Sequence, residues 1–202
     1  MTIELKDVGK RFNRDWIFRH FNYTFTHGNS YAITGTNGSG KSTLLQVIAG
    51  AILNSEGVIE YSLNQKKLSD SYKNISIAAP YLELIEELTA EEFLNFHSKF
   101  KPLKVSTNTV LKTVGIASSA KKQIRYFSSG MKQRLKLGQA FFSESSCLFL
   151  DEPSSNLDRE GISMYHDLLA NHTGKHRTII ISSNDSAEYS ICKEVICVED
   201  FK

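Results

Sequence analysis

The sequence predicts an α/β protein: a parallel β-sheet covered by helices and interrupted by a helical insert. Apolar strand patterns alternate with amphipathic helical ones at both ends of the chain, while from about Leu82 to Leu137 the strand signals give way to helices. The glycine-rich run Gly35–Ser42 also lies between a strand and a helix, where such sheets carry their loop-borne chemistry, at the carboxyl ends of the strands.

Taken in order, Ile3–Val8 alternates well enough for a strand and Phe21–Phe25 alternates strictly. His27-Gly28-Asn29 is a turn, and Ser30–Thr34 is a strand entering the glycine-rich run. Thr43–Ile52 places Leu44, Leu45, Ile48, Ala49 and Ile52 on one helical face. Glu56–Leu63 and Ile75–Ala79 read as strands, the second stopped by Pro80. Inside the insert, Thr89 followed by Glu92 is a capping box, predicting a helix to about Phe100. Asn108–Val114 and Ser128–Ser143 are further helices. Alternation then resumes: strand Cys147–Leu150, a helix from about Asp158 to Asn171, strand Thr178–Ser182, a short helix near Glu188, and strand Glu194–Val198. No internal repeat or low-complexity segment breaks this pattern.

At 202 residues the chain is one domain, or one with an inserted subdomain. Its 41% hydrophobic and 23% charged residues are ordinary for a globular protein, and a net charge of +2 gives no argument for nucleic acid or an anionic membrane. Cys147, Cys192 and Cys197 offer neither a zinc ligand set nor a disulfide framework, so they read as reduced thiols of a cytoplasmic core. Met1–Lys6 is neither a basic nor an apolar leader, and no apolar run approaches the ~18–20 residues of a membrane span. Work at a membrane would then need a partner. The six histidines read as surface or core residues.

Gly35-Thr36-Asn37-Gly38-Ser39-Gly40-Lys41-Ser42 fits G-x-x-x-x-G-K-[ST] at every fixed position, in the required strand-to-helix context, with Thr43 next in the helix. Backbone N–H groups of such a loop converge on phosphate oxygens, and the helix N-terminus adds about half a positive charge. Lys41 supplies a full charge to the β- and γ-phosphates, and Ser42 offers its hydroxyl to Mg²⁺. This predicts a nucleoside triphosphate site. Cys147–Glu152 is a buried-strand pattern ending in two acids: Asp151 is placed to hold Mg²⁺ opposite Ser42, and Glu152 to orient or deprotonate the attacking water. Phe127–Phe142 begins with two serines and a glycine ahead of an apolar helix, a second helix start suited to an anion.

Gly35–Ser42, Phe127–Met131, Leu148–Glu152 and Ser155–Asp158, in that order, resemble the motifs of an ABC-type ATPase, the nucleotide-binding subunit of ABC transporters. The resemblance covers nearly the whole chain. It implies a P-loop parallel-sheet core, an N-terminal antiparallel β subdomain and an inserted α-helical subdomain. Residues 1–202 would form a single ATP-binding domain, with 1–81 and 138–202 as catalytic core and about 82–137 as helical subdomain. ATP and Mg²⁺ are the implied cofactors. In this family two cassettes pack head to tail, so a second cassette, in a homodimer, is the implied partner. Ser128 and the N–H groups of Ser129 and Gly130 would then reach the γ-phosphate held by the other chain. Ser155–Asp158 would run along the same interface. The loop Pro80–Glu87 and the face of Phe93–Phe100 would form the groove that receives a short helix from an integral membrane transporter subunit. That places the protein at the cytoplasmic face of a membrane.

Phe12 stands near the position of the family's adenine-stacking tyrosine, with Trp16 as the alternative. The signature reads F-S-S-G-M in place of L-S-G-G-Q, which puts a Cβ at Ser129. The glutamine expected after Ile75–Ala79 is missing, leaving Glu83 as the nearest polar candidate. The expected histidine after Thr178–Ser182 is replaced by Asn184, whose amide donates a hydrogen bond but carries no charge. The competing reading is a soluble ABC-type ATPase acting on nucleic acid or ribosomes; a P-loop kinase is a third. Neither a long coiled coil nor a second cassette is present to support the former, and the latter leaves Phe127–Met131 and Glu152 without a role.

Overall fold

Strands β1 (Thr2–Phe12) and β2 (Asp15–Phe25) form a long antiparallel hairpin, turned at Asn13 in a left-handed conformation. In the computed structural model, which describes residues 1–174 and 176–202, the chain continues through β3 (Ser30–Thr34) and α1 (Lys41–Ile48). Strands β4 (Glu56–Leu63) and β5 (Lys66–Lys67) then complete a four-stranded antiparallel sheet in the order β2-β1-β4-β5. Next come β6 (Ile75–Ala78), helices α2 (Ala90–Ser98), α3 (Thr107–Thr113) and α4 (Ser129–Phe142), strand β7 (Cys147–Asp151), helix α5 (Arg159–His172), and strands β8 (Thr178–Ser182) and β9 (Glu194–Cys197). Five of these strands form an all-parallel sheet in the order β6-β7-β8-β3-β9.

The period of two in the strands divides the interior into two cores. Cys147 and Phe149 of β7, with Ile180 of β8, face a cluster built from β1, β2 and α1. Leu148 and Leu150, with Ile179 and Ile181, face the opposite cluster, made of α2, α3, α4 and α5. Strands buried on both faces read as continuous apolar runs, as Cys147–Leu150 does. Helix α4 runs unbroken past Leu137, and Ser76 of β6 donates to its Ala140 carbonyl at 2.9 Å.

Element ends depart from the sequence pattern for local reasons. Helix α1 stops at Ile48, short of the expected Ile52, because Gly50 adopts a left-handed conformation (φ 72°) just beyond it. Helix α2 begins where its capping box predicts: Thr89 N donates to Glu92 Oε2 at 2.8 Å and Glu92 N to Thr89 Oγ1 at 3.2 Å. It ends at Ser98, not Phe100. The short helix expected near Glu188 is instead a run of turns. Tertiary bonds satisfy that segment: Ser154 N donates to the buried Glu188 carboxylate at 2.8 Å and the Tyr165 hydroxyl to the Glu188 carbonyl at 2.6 Å.

Arg177 is only 4% exposed and has no carboxylate partner among the described residues. Its guanidinium donates to the carbonyls of Phe141 at 2.9 Å and Ala140 at 2.8 Å, and to Ser145 Oγ at 2.6 Å. Burial pulls it down to about 10, so it stays charged at neutral pH, where it complements the negative end of α4. Arg177→Leu orphans these carbonyls; it is expected to cost about 3 kcal/mol and lower the melting temperature by roughly 10 °C in a thermal scan.

His97 is held neutral between Ser143 Oγ (2.9 Å from Nε2) and Gln139 Nε2 (3.1 Å from Nδ1). Burial, reinforced by Lys101, lowers it from 6.5 to about 4. The unfolded chain therefore takes up a proton below pH 6.5 while the fold does not. Stability present above that pH is lost progressively as pH falls from 6.5 toward 4. Urea titrations should show a shallower decline over this window in His97→Gln than in the parent.

Candidate functional site: a phosphate loop and a separate helix start

Gly35–Gly40 leaves the carboxyl end of β3 and delivers Lys41 as the first residue of α1. Gly40, the N-cap, sits at φ 107°, and a Cβ there would lie 2.3 Å from Ile17 Cγ2, so the loop closes against β2 only as glycine. Lys41 is 5% exposed; its ammonium donates to the carbonyls of Gly35 at 2.8 Å and Thr36 at 3.2 Å. A cavity of about 290 Å³ opens over this loop, lined by Ile17, Asn37, Gly38, Gly40, Lys41, Ser42, Thr43 and Glu152. Thr36 and Ser39 complete the loop without lining the cavity, Thr36 exposed and Ser39 almost fully buried.

The parallel register brings the acids to the loop. Asp151 pairs with Ser182, and Ser182 with Ile33, so the ends of β7, β8 and β3 lie in one row. Asp151 is 1% exposed, and its Oδ1 has no hydrogen-bond partner among the described residues. Burial raises its carboxyl above the ordinary carboxylate range, opposed by the nearby Ser182 and Ser42 hydroxyls and by Lys41. A buried, unpartnered carboxylate oxygen beside a serine hydroxyl suits a hard divalent cation. Glu152 turns out of the row with φ 41°, its N–H donating to the Ser182 carbonyl at 2.8 Å, and its side chain lies at the cavity wall.

The second anion candidate lies elsewhere on the molecule. Ser128 caps α4, accepting from Met131 N at 3.2 Å, and Ser128, Ser129 and Gly130 line a separate cavity of about 420 Å³ with Asn156 and Asp158. The two cavities share no lining residue. Ser129 is exposed, and a Cβ at Gly130 would lie 2.9 Å from the Asn156 carbonyl, so glycine is needed there for packing.

Other candidates fall less neatly. Asn184 Nδ2 donates to Asn37 Oδ1 at 3.0 Å, which brings it to the phosphate loop. Phe12 is half exposed at the hairpin tip, with Lys10 Nζ 4.8 Å from its ring centre; Ile17, which the sequence did not single out, forms the cavity wall. Trp16 is stacked against Arg19, whose guanidinium lies 4.2 Å from its ring centre. Glu83 lines the apolar groove beside α2 and not the loop cavity. Tyr81, two residues earlier, is the loop residue whose hydroxyl feels Asp151: burial and that carboxylate both raise it. No sequence signal marked Tyr81, because its position follows from the chain path after Pro80.

A phosphate loop, a buried aspartate in register with it, an exposed glutamate at the cavity wall and a serine-capped helix start on one α/β scaffold define an ATP-binding cassette. The family model described as ABC transporter matches residues 18–155. The chain is 32% identical over 195 residues to the uncharacterized ABC transporter ATP-binding protein YybJ of Bacillus subtilis, covering 94% of this chain and 89% of the relative. It is also 32% identical to the zinc import ATP-binding protein ZnuC of Wigglesworthia glossinidia brevipalpis, covering 97% of this chain and 82% of that one. A solved dimeric ATP-binding cassette, MJ0796, in a post-hydrolysis state with ADP and Pi, superposes with a TM-score of 0.81 at 22% identity over 96% of this chain and 93% of that one. The chain belongs to the ABC transporter family. It is an ATP-binding, ATP-hydrolysing subunit that powers transport.

Asp151→Asn tests the cost of the buried carboxylate. A raised carboxyl destabilises the fold as pH rises through its folded pKa, so the neutral amide should stabilise the metal-free protein at pH 7 by about 1 kcal/mol. Mg²⁺-dependent ATP hydrolysis by the same variant should fall at least ~100-fold. Thermal melts and phosphate-release assays check both signs.

Proposed function

We propose that two copies of this chain close head to tail around two ATP molecules and so drive a separate integral membrane subunit. One observation carries the reading: the phosphate loop and the Ser128–Gly130 helix start open into two cavities with no residue in common. A triphosphate seated on one leaves the other free for a nucleotide held by a second cassette. A cassette of the same fold, MJ0796, is dimeric with ADP and Pi bound, which supports pairing of two copies.

In each composite site the loop N–H groups of Gly35–Gly40 grip the phosphates, and Lys41 leaves its backbone carbonyls for phosphate oxygens. Ser42 and Asp151 would hold Mg²⁺, which when bound would supply charge neutralisation to the phosphates. Glu152 takes a proton from the attacking water as its oxygen bonds to the γ-phosphorus and the bond to the ADP oxygen breaks. Asn184 donates an amide hydrogen bond toward the γ-phosphate, and Phe12 stacks on the base. Ser128, Ser129 N and Gly130 N complete the oxyanion contacts from the opposite copy.

The membrane subunit docks in a groove of about 340 Å³ between the Leu82–Ile85 loop and α2, walled by Phe93, Phe96 and Phe100. Phe100 is 75% exposed, a cost that a docked apolar helix removes. Among the described residues no helix is long and apolar enough to cross a membrane; in this reading the groove is the surface by which the chain attaches at the cytoplasmic face. ATP favours the closed pair only by binding it more tightly than the open one. Relatives named for import and for export both align along nearly this whole chain.

Glu152→Gln should bind ATP as the parent does, hydrolyse it at least ~100-fold more slowly and elute as a dimer with ATP in light-scattering chromatography. A Glu152→Gln protein that stays monomeric at saturating ATP, or that hydrolyses at the parent rate, overturns the reading.

A further inference from the structure

One carboxylate that the hydrolytic chemistry leaves unused lies against the phosphate loop. Thr34 of β3 pairs with Cys197 of β9, so the residues following both strands emerge side by side. After β9 the chain makes a single 3₁₀ turn, Val198–Phe201, anchored by the buried Val198 and by Phe201, whose ring centre is 4.5 Å from that of Phe21. That turn aims Glu199 back at the loop. Its Oε1 accepts both donors of Thr36, the backbone N–H at 3.2 Å and the hydroxyl at 2.5 Å, and Cys197 Sγ lies 3.5 Å from Oε2. The Thr36 carbonyl in turn accepts from Lys41 Nζ. The Thr36 bonds hold the Glu199 carboxyl below the usual carboxylate range, so it is ionised at neutral pH.

An anion beside a phosphate site repels its ligand and costs affinity unless it also orders the site. Here it takes both Thr36 donors and fixes the first turn of the loop from outside. We propose that Glu199 is a positioning residue for nucleotide binding, clamping Thr36 so that the loop backbone and Lys41 are held ready for the triphosphate. This rests on the reading of Gly35–Ser42 as the ATP site.

The test is equilibrium binding of a fluorescent ATP analogue, with steady-state hydrolysis alongside, for the parent, Glu199→Ala, Glu199→Gln, Thr36→Val and Lys41→Ala. Glu199→Ala should bind about 10-fold more weakly, the loss of charge-assisted hydrogen bonds, and raise KM while kcat stays within about twofold. Glu199→Gln keeps an acceptor for both donors and should bind within about threefold of the parent. Thr36→Val removes the hydroxyl donor without touching the C-terminal turn, and carries the test if Glu199→Ala fails to fold; it should bind a few-fold more weakly. Parent-like affinity in Glu199→Ala or Thr36→Val overturns the proposal, as does a Glu199→Gln as weak as Glu199→Ala. Undiminished binding by Lys41→Ala would instead sink the assignment of the ATP site itself.

Discussion

A carboxylate almost wholly removed from water at the end of β7 is the constraint around which the rest is arranged. Burying Asp151 disfavours its charged form, and only neighbouring groups offset this. Those groups come from beyond two other strand ends: Ser182 closes β8, and Lys41 and Ser42 open the helix that follows β3. They converge only if β7, β8 and β3 run parallel and in register, which their two-sided burial enforces. A one-residue slip would turn Phe149 and Leu150 to the wrong faces and carry the acid out of the row. The packing of the sheet and the electrostatics of the site are thus one problem.

Helix α4 shows how a single element serves both needs. Its N-terminal end is left open, with Ser128 as cap and Ser129 and Gly130 presenting backbone N–H groups to a cavity. Its C-terminal carbonyls are closed off by the buried Arg177. The helix is therefore complemented by a cation at its negative end and free at its positive end, the polarity an incoming phosphate requires. Between these ends, Leu135, Leu137 and Phe141 fill the core against the sheet, so the open end is held by the same packing that stabilises the fold.

The segment joining the acid pair to the second cavity is held as tightly. Glu152 and Asn156 both occupy the left-handed region, at φ 41° and 63°. Such conformations persist only when surrounding bonds impose them. Gln133 of α4 donates to the Pro153 carbonyl at 2.9 Å, and the buried Glu188 accepts from Ser154. Glu152 lies at the loop cavity and Asn156 at the helix-start cavity, so one firmly held segment joins the two.

What the sequence determined by itself is what short-range geometry dictates. Gly35–Ser42 announces its loop because each glycine and the lysine act within one turn, the Thr89–Glu92 box announces the start of α2, and Cys147–Glu152 announces a buried strand with acids at its end. The strand order, the approach of Asn184 to Asn37, the wall made by Ile17 and the nearness of Tyr81 to Asp151 were not legible. Each joins residues far apart along the chain, through contacts that exist only once the sheets have packed. Near Glu188 the local pattern pointed to a helix, and tertiary bonds to Ser154 and Tyr165 outweighed it. Glu199 makes the same point: nothing in V-E-D-F marks a phosphate-loop clamp. It becomes one because β9 lies beside β3, and that pairing is decided by the burial of apolar faces along the whole sheet.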